Sequence, residues 1–86
     1  MPEVSRFFGI VIVMYYNDHN PPHFHVRYGH QNGIIDIATL TELDGALSSR
    51  VVGIVREWAN QHQSELRANW TFAREGQPLI PISPLE

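Results

Sequence analysis

A run of ten apolar residues near the start of the chain constrains the fold more than any other feature. Residues 7–16 read Phe-Phe-Gly-Ile-Val-Ile-Val-Met-Tyr-Tyr, and most of them are β-branched or aromatic, which favours a β-strand. Apolar residues occupy both alternating sets of positions, so both faces of this strand should be covered. Since crossing a bilayer takes about 20 apolar residues, the run predicts a long central strand and not a membrane span.

Composition limits the kinds of site and partner that the chain can have. The 86 residues predict a single domain, 1–86, and the lack of cysteine excludes disulfides and thiolate metal sites. The net charge is −3 and all six cations are arginine, so bulk electrostatics do not support general binding to nucleic acids or membranes. No small-residue cleavage site follows the apolar run, so we expect a cytoplasmic protein without a membrane partner.

The next segments predict a β-hairpin, which follows a loop around two adjacent prolines. Residues 24–28 alternate between apolar and polar, residues 29–33 have turn composition, and residues 34–37 are again mostly apolar. A hairpin with a four-residue turn keeps most of the large apolar side chains on one face, whereas a one-residue slip would not. This register gives the pairs Tyr28–Gly33, Val26–Ile35, Phe24–Ile37 and His25–Asp36.

An apolar stripe in the second half of the chain predicts one long helix. Ser48 or Ser49 can cap its N-terminus, and Gly76 followed by Pro78 ends it. The stripe recurs at spacings of three and four residues: its members are Val51, Ile54, Val55, Trp58, His62, Leu66, Trp70 and Ala73. Ser64 can cap a second helix, so residues 61–64 are a candidate break. The tail beyond is expected to be extended and to pack along the domain's own sheet or helix.

These patterns predict an α+β fold with the order β-β-β-α. We expect a small antiparallel sheet of about three strands over residues 5–38, a connection over 39–47, one long C-terminal helix over 48–75 packed on the sheet, and an extended Pro-rich tail over 76–86. The first strand needs cover on its second face, which the tail or a second subunit of a homodimer would supply. The predicted core consists of Phe8, Ile10, Ile12, Phe24, Val26, Ile35, Val55, Trp58 and Leu66.

Several short motifs are similar to those of a bacterial protein family. They are Ser-Arg-Phe-Phe-Gly-Ile at 5–10, Met-Tyr-Tyr-Asn-Asp-His at 14–19, Pro-Pro-His-Phe-His-Val at 21–26, Glu-Trp-Ala at 57–59, Asn-Trp at 69–70 and Gly-Gln-Pro-Leu at 76–79. Over essentially its whole length the chain resembles the family called domain of unknown function 4160, although Val13 stands where the family usually has a charged residue. The resemblance implies a small bacterial protein without an established activity, often encoded beside another small uncharacterised domain in a toxin–antitoxin-like pair.

Three of the five histidines lie within seven residues, and one hypothesis for this cluster is a metal site. His23 and His25 are two residues apart on one strand, so both imidazoles leave the same face and can converge on one ion. Asp18, His19 or Asp36 can complete the ligand set. Three such ligands and a water suit Zn²⁺ or another divalent metal.

A second hypothesis is metal-free acid–base chemistry on an RNA phosphodiester. His23 and His25 supply a general base and a general acid, and Arg27 supplies a cation for the charge of the transition state. Asp36 would orient His25. The negative net charge counts against this RNase-type hypothesis. A third hypothesis is structural: the histidines hold the loop, and the protein acts through a partner.

The sequence therefore predicts a component of a two-gene, toxin–antitoxin-like module that acts through RNA or through a partner protein encoded nearby. The alternative is a histidine-based metal-binding protein, and whether the chain is an enzyme stays open. If the two prolines turn His19 away from His23 and His25, a three-histidine metal site is excluded. Trp58 and Trp70 are interpreted as core residues, and His62 as a hydrogen-bonded, partly buried side chain.

Overall fold

Five strands followed by two helices make up residues 2–86, the part of the chain that the computed structural model describes. The elements are β1 (Glu3–Phe7), β2 (Ile10–Val13), β3 (His23–Tyr28), β4 (Gln31–Asp36), β5 (Glu42–Gly45), α1 (Ser49–Gln61) and α2 (Gln63–Arg74). The strands form one antiparallel sheet in the order β1-β2-β3-β4-β5. The prediction of about three strands and a single long C-terminal helix is wrong: this α+β fold has a five-stranded sheet and two helices.

The apolar run at 7–16 is not one strand, because a tight turn divides it. Phe8 and Gly9 have φ values of 53° and 79°, and Phe7 pairs with Ile10 across the turn. Positive φ at both central residues is the geometry of the two-residue type I′ hairpin. Phe8 lies at the tip of this hairpin and is 64% exposed, so its predicted place in the core is wrong. The run combines the end of one strand, a turn and a second strand.

The hairpin of β3 and β4 also turns more tightly than the sequence predicted. Tyr28 pairs with Gln31 around a two-residue turn, and His25 lies opposite Ile34 instead of Asp36. The predicted register is therefore wrong by two residues. Because side chains alternate with a period of two, a shift of two leaves every side chain on its predicted face. The face of each histidine could thus be predicted correctly, although its cross-strand neighbour could not.

Strand β5 lies at the edge of the sheet, in the segment 39–47 that was predicted to be a connection. Its residues are polar apart from Leu43 and mostly exposed, so the strand lacks the alternation that marks one buried face. The segment that follows β5 passes close to Gly33 in β4. A Cβ atom at this glycine would lie 2.6 Å from the Leu47 side chain, so the packing of the β5 side of the sheet requires glycine there.

Two helices replace the single helix predicted over 48–75. α1 begins after Ser48, whose hydroxyl accepts a hydrogen bond from the Val51 backbone N–H at 3.2 Å. His62 interrupts the helix with φ −130° and ψ 24°, while the apolar stripe continues into α2. The stripe identified the buried face of both helices but not the break between them. Neither helix in the described part of the chain combines the length and the apolar character that crossing a membrane requires.

The C-terminal tail packs along its own domain, which confirms that part of the sequence analysis. The Ile82 backbone N–H donates to the Val4 carbonyl at 2.8 Å, on the outer edge of β1. The Trp58 indole N–H donates to the Ser83 carbonyl, also at 2.8 Å. Residues of the tail therefore join the edge of the sheet to α1, and Ile82 is part of the core.

The hydrophobic core lies between one face of the sheet and the two helices. Apart from Phe8, every predicted core residue is buried, and the core also includes Trp70. Residues His23, His25 and Arg27 alternate with the buried residues of β3 and leave the strand on the other face. This second face, away from the core, is the one on which the sequence placed its candidate functional residues.

Candidate functional site

The connection between β2 and β3 brings an acidic side chain against the first residues of β3. Its Asn20–Pro21 peptide bond is cis. Asp18 lies in this connection, His23 opens β3, and His25 follows two residues later on the same face. One carboxylate and two imidazoles are therefore brought together by a loop and the start of a single strand.

Asp18 contacts both histidines through one oxygen atom. Its Oδ2 accepts a hydrogen bond from Nε2 of His25 at 2.9 Å, and lies 3.3 Å from Nε2 of His23. The three side chains each offer a ligand atom, and these atoms all lie within 4.8 Å of one another. The two imidazole rings are 5.2 Å apart between centroids. We call Asp18, His23 and His25 the Asp–His–His cluster.

A backbone carbonyl orients one ring of the cluster. His23 donates from Nδ1 to the Pro21 carbonyl at 2.7 Å. Since a carbonyl only accepts, the proton of a neutral His23 ring is held on Nδ1, which leaves Nε2 as an acceptor beside the Asp18 carboxylate. Two acceptors then face each other at 3.3 Å. This contact is favourable only if the ring carries a second proton or if a cation lies between the two atoms.

The cluster lies at the boundary between the core and solvent. The side chain of His23 is 10% exposed, whereas those of His25 and Asp18 are 22% and 21% exposed. Tyr15 meets the His25 ring edge-on, with centroids 4.6 Å apart, and Trp70 of α2 lies 5.2 Å from the His23 ring. One side of the cluster is thus fixed by packing, and the other side is accessible to a small ligand.

Not every residue predicted for the site belongs to the cluster. His19 is exposed and is not among the three converging ligands, so the described residues do not form a three-histidine site. Asp36 lies opposite His23, but its Oδ1 accepts hydrogen bonds from the Ala38 and Thr39 N–H groups at 2.7 and 2.9 Å and so caps a turn. The carboxylate that orients His25 is therefore Asp18, and not Asp36.

An open cavity of about 410 Å³ adjoins the cluster on the same face of the sheet. His25, Tyr15, Arg27 and Asn32 are among the residues that line it. Arg27 is two residues beyond His25 on β3 and is exposed. The structure thus places the predicted arginine beside the histidines, across a space large enough for a small molecule.

A second histidine–carboxylate contact lies elsewhere, at the junction of the two helices. His62 donates from Nδ1 to Glu65 Oε1 at 2.6 Å, and its ring packs 5.6 Å from Trp58. The interpretation of His62 as a hydrogen-bonded, partly buried residue is confirmed. His62 and Glu65 are three residues apart, a spacing that brings side chains together on a helix, so this contact can be recognised from the sequence.

The chain is defined structurally as a small α+β protein with an Asp–His–His cluster on the uncovered side of its sheet. A family model described as Domain of unknown function (DUF4160) matches residues 9–71, which span the cluster, the sheet from the first turn onwards and most of both helices. The chain belongs to this family. No curated protein and no solved structure gave a significant match.

Proposed function

We propose that this protein binds one divalent transition-metal ion, such as Zn²⁺, through Asp18, His23 and His25. The observation that carries the proposal is the convergence of three ligand atoms within 4.8 Å of one another, with His23 Nε2 3.3 Å from a carboxylate oxygen. Two imidazoles and one carboxylate are a donor set found at catalytic zinc sites and at non-haem iron sites. A cation between these atoms removes the repulsion between two facing acceptors.

The distances in the cluster suit such an ion. A tetrahedral ion with ligand bonds of about 2.0–2.1 Å separates its donor atoms by about 3.3 Å. Asp18 Oδ2 lies 3.3 Å from His23 Nε2 and 2.9 Å from His25 Nε2, so two of the three separations are close to this value, and all three are within 4.8 Å. Binding at Nε2 of His25 requires that this nitrogen carries no proton, and a neutral ring meets this condition by holding its proton on Nδ1.

The hydrogen bond from His23 to the Pro21 carbonyl is a further argument for a metal ligand. Histidines that bind metals almost always donate their second ring N–H to a carbonyl or carboxylate, which fixes the ring and its tautomer. The cis peptide before Pro21 lies in the segment that presents this carbonyl. The loop therefore supplies both a candidate ligand, Asp18, and the group that orients a second ligand.

Three protein ligands converge among the described residues, which leaves a coordination position for water or a substrate. Because His25 is partly exposed and also lines the open cavity, we expect this position on the cavity side. An ion held there would polarise a bound water or a substrate oxygen, as in metal-assisted hydrolysis. Within this proposal, His23 is the buried anchor of the site, and Tyr15 restricts the His25 ring by its edge contact.

The two-gene module and its action through RNA or a partner protein stay predictions, because family membership alone assigns no activity. Co-purification with the protein encoded next to this chain tests the partner directly. A stable complex would support a module. If the two chains elute separately at micromolar concentrations, the module prediction loses its main support. A homodimer would appear in the same size-exclusion experiment as a concentration-dependent shift of the chain alone.

Elemental analysis and calorimetric titration of untagged protein test the metal proposal. We expect one Zn²⁺ per chain, and we expect His25→Ala and Asp18→Asn to weaken binding more than the roughly 10- to 100-fold loss typical of changes to second-shell groups. The matched control is His19→Ala, because His19 lies in the same loop region but outside the cluster. Absence of stoichiometric binding, or an equal loss in the His19 variant, would contradict the proposal.

A further inference from the structure

Two neighbouring cavities on the uncovered side of the sheet share one side chain. The cavity of about 410 Å³ next to the cluster is lined by Arg27, and so is a second one of about 290 Å³ that also contacts Arg6. Arg27 therefore lies between them. Together the cavities extend from His25 of the Asp–His–His cluster to the turn at Gly9, and residues of all five strands line them.

The strand register explains why the arginines follow the cluster on this face. Arg6 pairs with Val11, and Val11 pairs with Arg27, so both guanidinium groups belong to one row across the sheet. His25 lies in the next row, two residues away on β3, which corresponds to about 7 Å between Cα atoms. A ligand that contacts an ion at His25 is thus within reach of the Arg27 side chain.

Charge determines when this face can attract an anion. The charged groups that line the two cavities and the cluster are Arg6, Arg27, Glu3, Asp18 and Asp44. Two arginines and three carboxylates give this face of the sheet a net charge of −1 when the histidines are neutral. A bound divalent ion would change this net charge to +1. Since opposite charges attract and like charges repel, the face is suited to an anion only when metal is bound.

We infer that the metal-loaded face binds a phosphate ester of nucleotide size, an inference that rests on the proposed metal site. A phosphoryl oxygen takes the open coordination position, and Arg27, which matches phosphate geometry with its planar guanidinium, contacts the remaining oxygens. The cavity volume lies within the range of small-molecule sites. Tyr15 and Ile34 add apolar surface for the rest of the ligand. The ester is supplied by a free mononucleotide or by a terminus of single-stranded RNA.

Calorimetry in phosphate-free buffer tests this inference with three probes: inorganic phosphate, a nucleoside 5′-monophosphate and a short single-stranded RNA. We expect the zinc-loaded protein to bind the mononucleotide or the RNA, and the metal-free protein to bind neither. Arg27→Gln should weaken nucleotide binding by roughly 10- to 100-fold, the typical effect of losing a charged hydrogen bond, while leaving Zn²⁺ affinity unchanged. Tighter binding of RNA than of the mononucleotide would identify the polymer as the source of the ester.

Two controls keep failure of the inference separate from failure of the metal proposal. Zn²⁺ is titrated first without any phosphate compound, so a missing metal site is seen directly and overturns both ideas. Arg50→Gln removes an exposed arginine at the start of α1 that lines neither cavity, and this variant should bind the probes as the wild type does. If zinc binds but no probe does, if inorganic phosphate binds as tightly as the nucleotide, or if both arginine variants lose affinity equally, the inference is wrong.

Discussion

The described residues form histidine–carboxylate contacts at two places, which differ in almost every physical respect. His62 and Glu65 meet within one helical turn, and the carboxylate is 49% exposed. In the Asp–His–His cluster, one carboxylate oxygen contacts two imidazoles from a different element of structure, and one of the rings is buried. The first contact needs only a local helix. The second needs a loop, a strand and a helix to be packed correctly.

The comparison shows that a short distance between a histidine and a carboxylate is not what makes a metal site plausible. The His62–Glu65 contact, at 2.6 Å, is the shorter one. It offers two ligand atoms, at the start of a helix, and is explained by helical geometry alone. Within residues 2–86, three ligand atoms converge only at the cluster, where a carbonyl also fixes the His23 ring. The predictions below separate the two contacts by experiment.

The largest expected effect is stabilisation of the fold by zinc. If only the folded cluster binds the ion, free Zn²⁺ at 100 times its Kd raises the free energy of unfolding by about 2.7 kcal/mol. Asp18→Asn should lose this gain, and Glu65→Gln should keep it. Urea denaturation with and without Zn²⁺ measures both variants. Equal gains in the wild type and the Asp18 variant would place the ion elsewhere.

A smaller effect is expected from removing the buried ring without any metal. His23→Ala leaves the Pro21 carbonyl without its donor and opens a space beside Trp70, which should cost about 1–3 kcal/mol of unfolding free energy. His19→Ala removes an exposed ring from the same loop region and should change stability by less than about 0.5 kcal/mol. Similar losses in the two variants would show that His23 does not hold the loop.

The smallest effect should come from breaking the local contact. Glu65→Ala removes the partner of His62 and an acidic residue from the first turn of α2. Local charged pairs and charges at helix ends contribute little, so we expect a loss below about 1 kcal/mol and an unchanged response to Zn²⁺. Denaturation of this variant checks the result. A loss larger than that of His23→Ala would reverse the ranking of the two contacts.

The face on which a side chain lies could be predicted from the sequence, because it follows from the alternation of residues along a strand. The cross-strand partner of a side chain could not, because it depends on the length of a turn. Alternation along β3 correctly placed His23 and His25 on one face, because strand side chains repeat with a period of two. The partner of His25 was not predictable in the same way. A two-residue turn replaced the expected four-residue turn, which moved Asp36 opposite His23.

Elements without a strong apolar pattern were missed for a physical reason. β5 is an exposed edge strand, so its Glu-Leu-Asp-Gly sequence lacks the alternation of apolar and polar residues that marks a half-buried strand. The apolar stripe does not show the break at His62, because the same stripe serves both helices. Only the possible cap at Ser64 indicated a candidate break over residues 61–64, and His62 lies within it. At the site, Asp18 was among several candidate ligands in the sequence. Only the path of the loop through the cis Asn20–Pro21 bond shows that Asp18, and not His19, faces the two imidazoles.

The most direct test is an NMR titration of the histidine side-chain nitrogens with Zn²⁺, since all five imidazoles are observed in one spectrum. The account predicts that the Nε2 signals of His23 and His25 move to the range of metal-bound nitrogen and stop changing at one equivalent. The signals of His19, His30 and His62 should stay in place. If His62 or His19 responds instead, or if His23 and His25 keep their metal-free signals, the cluster is not a metal site.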